Sequence, residues 1–200
     1  MMTRLKFEAL AGQSAIWIIA KAAVALFVTG AAAVFDREGL ALAVIIVFMG
    51  VTGPTIRLVT MKMSGIYDRI IVSPTSKPRF FMEFSGLWGG AVLLPLIPAI
   101  AVVAILTGPA AFIPILAGTA LAVTLGTLAG FLSRGLSDAH LAALLVAGLL
   151  IAVSLVKTPV AGFFPYASLS AGAYDPAALV SSVVLPVAAA AVLALVVSRS

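Results

Sequence analysis

The sequence predicts an all-α polytopic membrane protein with six transmembrane helices, and composition and length lead to that class. Hydrophobic residues make up 63% of the 200 residues and charged residues 10%, whereas a soluble domain has about half and about a quarter in these classes. At about 20 residues per span, this length allows about six spans. Residues 1–200 are therefore expected to form a single membrane domain, with no room for a soluble catalytic domain.

Turns and charged loops divide the chain into six apolar segments. The expected spans are approximately residues 14–35, 40–60, 85–106, 110–133, 140–156 and 177–198. The first apolar run is longer than the apolar region of a signal peptide, so no cleavable signal peptide is predicted. Residues 1–13, MMTRLKFEALAGQ, mix charged and apolar side chains. They predict an amphipathic helix on the inner membrane surface or, equally, a basic flank that orients the first span.

Two spans contain residues with consequences for the backbone. Pro54, in the run GVTGPT, removes a backbone hydrogen bond and is expected to bend or end the second span. A kinked structural helix and a helix that lines a pathway both remain open. Gly126 and Gly130 in the fourth span have the spacing that lets two helices approach closely. We expect this spacing to serve packing within the chain rather than a dimer interface.

The segment between the fifth and sixth spans, residues 157–176, is too long for a tight hairpin and too apolar for an aqueous loop. Its aromatic residues are Phe163, Phe164, Tyr166 and Tyr174. Aromatic side chains favour the membrane interface, and irregular backbone at membrane depth must be buried in protein. The sequence therefore predicts a re-entrant outer segment before the sixth span.

The basic residues predict the orientation of the chain. With both termini in the cytoplasm, the inner side carries Arg4, Lys6, Arg57, Lys62, Arg69, Lys77, Arg79, Arg134 and Arg199. Only Arg37 and Lys157 then face outward, as the positive-inside rule requires. The net charge of +5 is dispersed among loops, which favours a lipid bilayer over nucleic acid as the partner. We expect a multi-pass protein of the cell (plasma) membrane.

The sequence lacks the motifs and residues with which membrane enzymes carry out catalysis and with which pumps bind nucleotide or transfer protons. It contains neither cysteine nor a GxxxxGK[ST], HExxH or GxSxG motif. The carboxylates fall at span ends or in loops, which disfavours a proton-coupled transporter. His140 is the single histidine and has no pair of carboxylates beside it, so no metal site is predicted. No catalytic residue and no cofactor are expected in this chain.

The polar stretch at residues 61–84 is the longest mixed segment between spans, and it is expected to lie in water or at the lipid headgroups. Its core, GIYDRIIVSPTSKPRFF at residues 65–81, resembles the cytoplasmic segment of ABC-2-type transporter permeases, which approximates G-T-L-E-x-L-L-x-S-P-x-S-R. Gly65 matches the glycine, Asp68 stands at the acidic position, and Ser73 and Pro74 match the serine and proline. Ile66 and Tyr67 replace the usual threonine and leucine, and the charged residue ahead of the motif is the basic Lys62. VKTPVAGFFP, residues 156–165, is similar to the family's G-x-x-x-P element after the fifth span.

The resemblance implies a permease subunit of an ATP-driven exporter. Two permease subunits, identical or homologous, would sit on a separate ATPase that binds ATP and magnesium, and a coupling helix after the second span would dock on that ATPase. The resemblance assigns partner coupling to Gly65, Ile66, Tyr67, Asp68, Arg69, Ile70, Ser73 and Pro74. We expect a pathway for an amphiphilic, drug-like or lipid-linked substrate near Phe48, Met49, Thr52, Phe163 and Phe164.

Four alternatives to this interpretation remain open. The polar stretch could be a solvated loop that obeys the positive-inside rule. The whole protein could be a non-catalytic membrane scaffold or assembly factor, a membrane enzyme with an unrecognised site, or a haem-exporter-type permease of cytochrome c maturation. The sequence has no specific haem-handling motif.

Overall fold

The computed structural model describes residues 15–71, 77–155, 163–171, 174 and 176–199. Within these ranges the chain is helical and contains no strand. The helices are α1 (Ala15–Ala33), α2 (Glu38–Met63), α3 (Ile66–Ile71), α4 (Lys77–Thr107), α5 (Phe112–Leu132), α6 (Leu136–Leu155), α7 (Pro165–Ala171) and α8 (Pro176–Arg199), with a 3-10 turn at Pro109–Ala111. The predicted amphipathic helix at residues 1–13 lies outside the described residues.

Six of the described helices, namely α1, α2, α4, α5, α6 and α8, are long and apolar enough to cross a membrane. This confirms the predicted class of an all-helical membrane protein with six candidate spans. Consecutive long helices run in opposite directions, so their termini lie at two ends of the bundle. We call these the α3 end, where α2 leads into α3, and the α7 end, where α7 packs on the first turns of α2.

Helices α2 and α5 form the centre of the bundle. The buried share is 67% for α5 and 50% for α2, against 11% for α1. A Cβ atom added to Gly126 of α5 would lie 2.5 Å from the Val51 oxygen of α2, and one added to Gly130 would lie 2.8 Å from the Thr55 oxygen. The two glycines therefore let two backbones of the same chain touch, as the sequence analysis predicted.

Helix α2 continues through Pro54 and does not end there. Proline cannot donate to the carbonyl four residues earlier, which belongs to Gly50. A Cβ atom on Gly126 would lie 2.9 Å from that oxygen, so the α5 backbone approaches the carbonyl closely. The buried Thr55 hydroxyl donates to the Gly126 oxygen at 2.8 Å. The α2 backbone beside the proline is therefore packed against the neighbouring helix α5.

Helix α4 begins at Lys77, well before the predicted start near residue 85. Pro78 suits the first turn of a helix, where its missing N–H costs nothing. Arg79 Nε and Glu83 Oε1 are 3.1 Å apart and stabilise the same turns. Phe81 and Phe84 are buried. The expectation that residues 61–84 lie entirely in water or headgroups is therefore corrected, since part of the segment packs into the bundle.

Helix α7 packs closely against the first turns of α2 and α5. A Cβ atom on Gly39 would lie only 2.0 Å from the Leu169 oxygen. Tyr166 is fully buried, its ring lies over Gly118, and its hydroxyl donates to the Gly118 oxygen. Burial raises the pKa of the Tyr166 phenol well above its usual range. These contacts fix α7 between α2 and α5.

Candidate functional site

The turn between α2 and α3 requires a glycine. Gly65 has a φ of +69°, a left-handed conformation that strains other residues. Its N–H donates to the Lys62 oxygen at 3.1 Å, while the Ser64 N–H donates to the Thr60 oxygen at 3.0 Å. A Cβ atom on Gly65 would meet nothing within 4 Å. The predicted coupling residue Gly65 therefore sets the direction of α3 through its backbone.

Tyr67 of α3 points into the bundle and is only 9% exposed. It belongs to a buried group at the α3 end, here called the aromatic cluster, which comprises Leu58, Met61, Tyr67, Phe81, Phe84, Leu193 and Val197, with Phe80, Trp88, Leu128 and Phe131 packed around it. The ring centroids of Tyr67 and Phe81 are 6.3 Å apart at an edge-on angle of 67°. Desolvation, and secondarily the charge of Asp68, raises the pKa of Tyr67. Tyr67 thus anchors α3, through its contact with Phe81, to a cluster that contains residues of α2, α4, α5 and α8.

The other described side chains of α3 face away from the bundle. Ile66, Asp68 and Arg69 are exposed, and neither charged residue forms an ion pair with another described residue. Ile70 belongs to α3, but its side chain, like Ser73 and Pro74, lies outside the described part of the chain. The structure therefore divides the predicted coupling residues into an anchor, Tyr67, and an outer face with one apolar and two charged side chains.

Lys62 connects the ends of the two central helices. Its Nζ donates to the oxygens of Gly130 and Ser133, both at 3.1 Å, and to that of Phe131. It also lies 5.3 Å from the centroid of the Phe131 ring and 5.8 Å from that of Tyr67. A cation at the carboxyl end of a helix satisfies free carbonyls and favours the helix dipole. Sequence reasoning used Lys62 for orientation and noted it ahead of the glycine motif, but nothing local links it to carbonyls 68 to 71 positions away.

The predicted pathway residues Phe48, Met49, Thr52, Phe163 and Phe164 stay a prediction, and the structure describes their individual surroundings. Phe48 and Phe163 are exposed, while Met49 and Phe164 pack against the core. Thr52 donates its hydroxyl hydrogen to the Phe48 oxygen of its own helix at 2.5 Å. Neither of the two grooves described next contains any of them.

Sequence reasoning missed a groove of about 670 Å³ between α4, α5 and α8. Its α4 wall includes Gly86, Gly89 and Gly90, at each of which an added Cβ would meet nothing within 4 Å. Ser85 and Thr124 supply hydroxyl groups to a lining that is otherwise mostly apolar. The run GLWGG at residues 86–90 could have indicated this groove, since three glycines in a span leave space beside the helix. A second groove of about 470 Å³ lies between α5 and α6.

Comparisons of this chain with protein-family models, with curated proteins and with solved structures return no match.

We predict that Tyr67→Ala lowers the free energy of unfolding by about 3 kcal/mol, because it empties a buried aromatic position. Tyr67→Phe keeps the ring and should cost less than about 1 kcal/mol, since the hydroxyl forms no hydrogen bond with a described residue. Thermal unfolding of both variants in detergent measures the difference. Equal melting temperatures for the two variants would show that α3 is not anchored by this ring.

Proposed function

We propose that this chain is the membrane-spanning permease subunit of an ATP-driven ABC exporter in the cell membrane, with α3 as its coupling helix. The supporting observation is the division of α3 into an inward anchor and an outward charged face. A solvated loop needs no residue buried in a cluster of side chains from the long helices. A helix that transmits a partner's movement needs both an exposed contact face and a fixed attachment.

The proposed mechanism begins in the partner. An ABC ATPase on the cytoplasmic side binds ATP and magnesium, and its subunits close on one another. That movement displaces α3 through Ile66, Asp68 and Arg69. Tyr67 passes the displacement to the aromatic cluster and so to α2, α4, α5 and α8. Two permease copies, or this chain and a homologue, alternate between inward-open and outward-open states because nucleotide binds these states with different affinity.

The charge distribution supports a cytoplasmic α3 end. Arg69, Lys77, Arg79, Arg134 and Arg199 gather there with Lys62, whereas Arg37 is the described basic residue at the α7 end. This asymmetry follows the positive-inside rule. In this orientation both termini are cytoplasmic, and α7 is the re-entrant helix in the outer half of the membrane, with its buried side facing protein instead of lipid.

The proposed cargo is amphiphilic, drug-like or lipid-linked. The groove between α4, α5 and α8 supports this class because its lining combines apolar side chains with a few hydroxyls. Phe48, Met49, Thr52, Phe163 and Phe164 stay a prediction for contacts along the path between two permease copies.

The decisive experiment is to isolate the tagged full chain from its native membranes in mild detergent. We expect an ABC ATPase to co-purify and to hydrolyse ATP. Reversing both charges, Asp68→Arg with Arg69→Asp, should lower the recovered ATPase about tenfold or more, because opposed like charges at an interface cost several kcal/mol. Membrane insertion should be unchanged, since both side chains are exposed.

The matched control is Arg79→Glu with Glu83→Arg, which reverses an exposed charge pair at the same end of the bundle. It should leave ATPase recovery near the wild-type value. Equal losses in the two double variants would place the docking surface elsewhere. If no ATPase associates with the wild-type chain, the membrane scaffold becomes the better explanation.

A further inference from the structure

The groove between α5 and α6 joins an apolar interior to a charged mouth. Its walls include Leu125, Leu128 and Leu132 from α5 and Ala142, Leu145 and Val146 from α6. At the α3 end the groove finishes at Arg134 and Asp138. An apolar groove that ends at two opposite charges matches a ligand that is itself amphiphilic.

Both charged residues at the mouth of the groove can form hydrogen bonds and ion pairs with a ligand. Arg134 and Asp138 are exposed, and neither forms a hydrogen bond or ion pair with another described residue. A guanidinium group matches the oxygens of a phosphate, often through two parallel hydrogen bonds. A carboxylate accepts hydrogen bonds from an ammonium group. The pair therefore complements a headgroup that carries both a phosphate and a primary amine.

The length and direction of the groove fit an acyl chain of a lipid. From Asp138 to Val146 helix α6 rises about 12 Å at 1.5 Å per residue. The apolar walls therefore run from the charged mouth toward the middle of the bundle, parallel to the spans. An acyl chain of a membrane lipid lies in the same direction below its headgroup.

We propose that this groove binds a phospholipid with a zwitterionic primary-amine headgroup, of the phosphatidylethanolamine type. One acyl chain lies between α5 and α6, the phosphate binds Arg134, and the ammonium group binds Asp138. This site goes beyond the proposed transport function and does not depend on it.

The test uses the purified full chain in detergent, stripped of lipid, and native mass spectrometry with three probes of identical acyl chains. These are phosphatidylethanolamine, phosphatidylcholine and phosphatidylglycerol. We expect phosphatidylethanolamine to bind most tightly. Arg134→Gln should weaken its binding about tenfold, because a charge-assisted hydrogen bond is lost. Asp138→Asn should abolish the preference over phosphatidylcholine, whose quaternary amine has no N–H to donate.

Three controls make the result specific. Arg69→Gln removes the same charge at the same end of the bundle but outside the groove, and it should bind lipid as the wild type does. Ala142→Phe fills the groove and should reduce binding of all three lipids. Glycerophosphoethanolamine, which has the headgroup without acyl chains, should not bind measurably. Equal binding by the Arg134→Gln and Arg69→Gln variants, or a preference for phosphatidylglycerol that Asp138→Asn leaves unchanged, would overturn the proposal.

Discussion

Gly126→Ala is expected to lower the free energy of unfolding by about 3 kcal/mol, the upper part of the range for overpacked cores. The new Cβ atom would lie 2.5 Å from the Val51 oxygen and 2.8 Å from the Val51 Cα atom. Both are backbone atoms of α2, so no side-chain rotation can relieve the clash. The two central helices must separate instead, and the Thr55 hydrogen bond to Gly126 weakens with them. Thermal unfolding in detergent, followed by circular dichroism, measures the loss.

Gly148→Ala provides the control for this substitution. Gly148 lies in α6, and a Cβ atom there would meet nothing within 4 Å. Alanine has the higher helix propensity, by up to about 1 kcal/mol, so this variant should be as stable as the wild type or more stable. If Gly126→Ala melts at the same temperature as Gly148→Ala, the close contact between α2 and α5 does not limit stability.

Lys62→Met is expected to cost about 2 kcal/mol, since hydrogen bonds to a charged group contribute about 1.5–3 kcal/mol. The substitution leaves the carbonyls of Gly130, Phe131 and Ser133 without their shared donor. The apolar stem of methionine retains much of the packing, so the loss of stability measures the contribution of the ammonium group. Hydrogen exchange in the last turn of α5 should accelerate together with the fall in melting temperature. Lys62→Arg, which keeps a cation with several donors, should recover part of the loss.

Lys77→Met makes the same chemical change at the first residue of α4. Lys77 forms no hydrogen bond or ion pair with another described residue. Its variant should therefore stay within about 0.5 kcal/mol of the wild type. Similar losses for Lys62→Met and Lys77→Met would mean that general charge effects, rather than the three carbonyl contacts, explain the result.

Features that depend on local composition could be predicted from the sequence. The length of each apolar run predicted the six spans, because a membrane span is a property of consecutive residues. The spacing of Gly126 and Gly130 predicted a close helix contact for a similar reason, but it could not name α2 as the partner. The predicted start of α4 was wrong. The first turns of this helix are stabilised by packing of Phe81 and Phe84 in one cluster with Met61 and Tyr67, and local sequence does not reveal such contacts.

The candidate site was predictable only in part. The motif at residues 65–81 identified α3 as the segment of interest, but no periodicity can be measured over the six residues of the helix. Which side of α3 faces the bundle therefore depended on the aromatic cluster. Lys62 could not be linked to the end of α5, because its carbonyl partners are distant in sequence. The pathway residues were inferred from a family arrangement of two copies, which a single chain does not contain.

The tight contact of α2 with α5 joins the two central helices into one packing unit. Glycines at three points bring these backbones together, at Gly50, Gly126 and Gly130, and interdigitated backbones cannot slide without a clash. Any rearrangement of the bundle must therefore move the less buried helices α1, α6 and α8, which are 11%, 22% and 22% buried. The α2–α5 pair would then move as one unit, and shear of the peripheral helices against this unit would be the available motion.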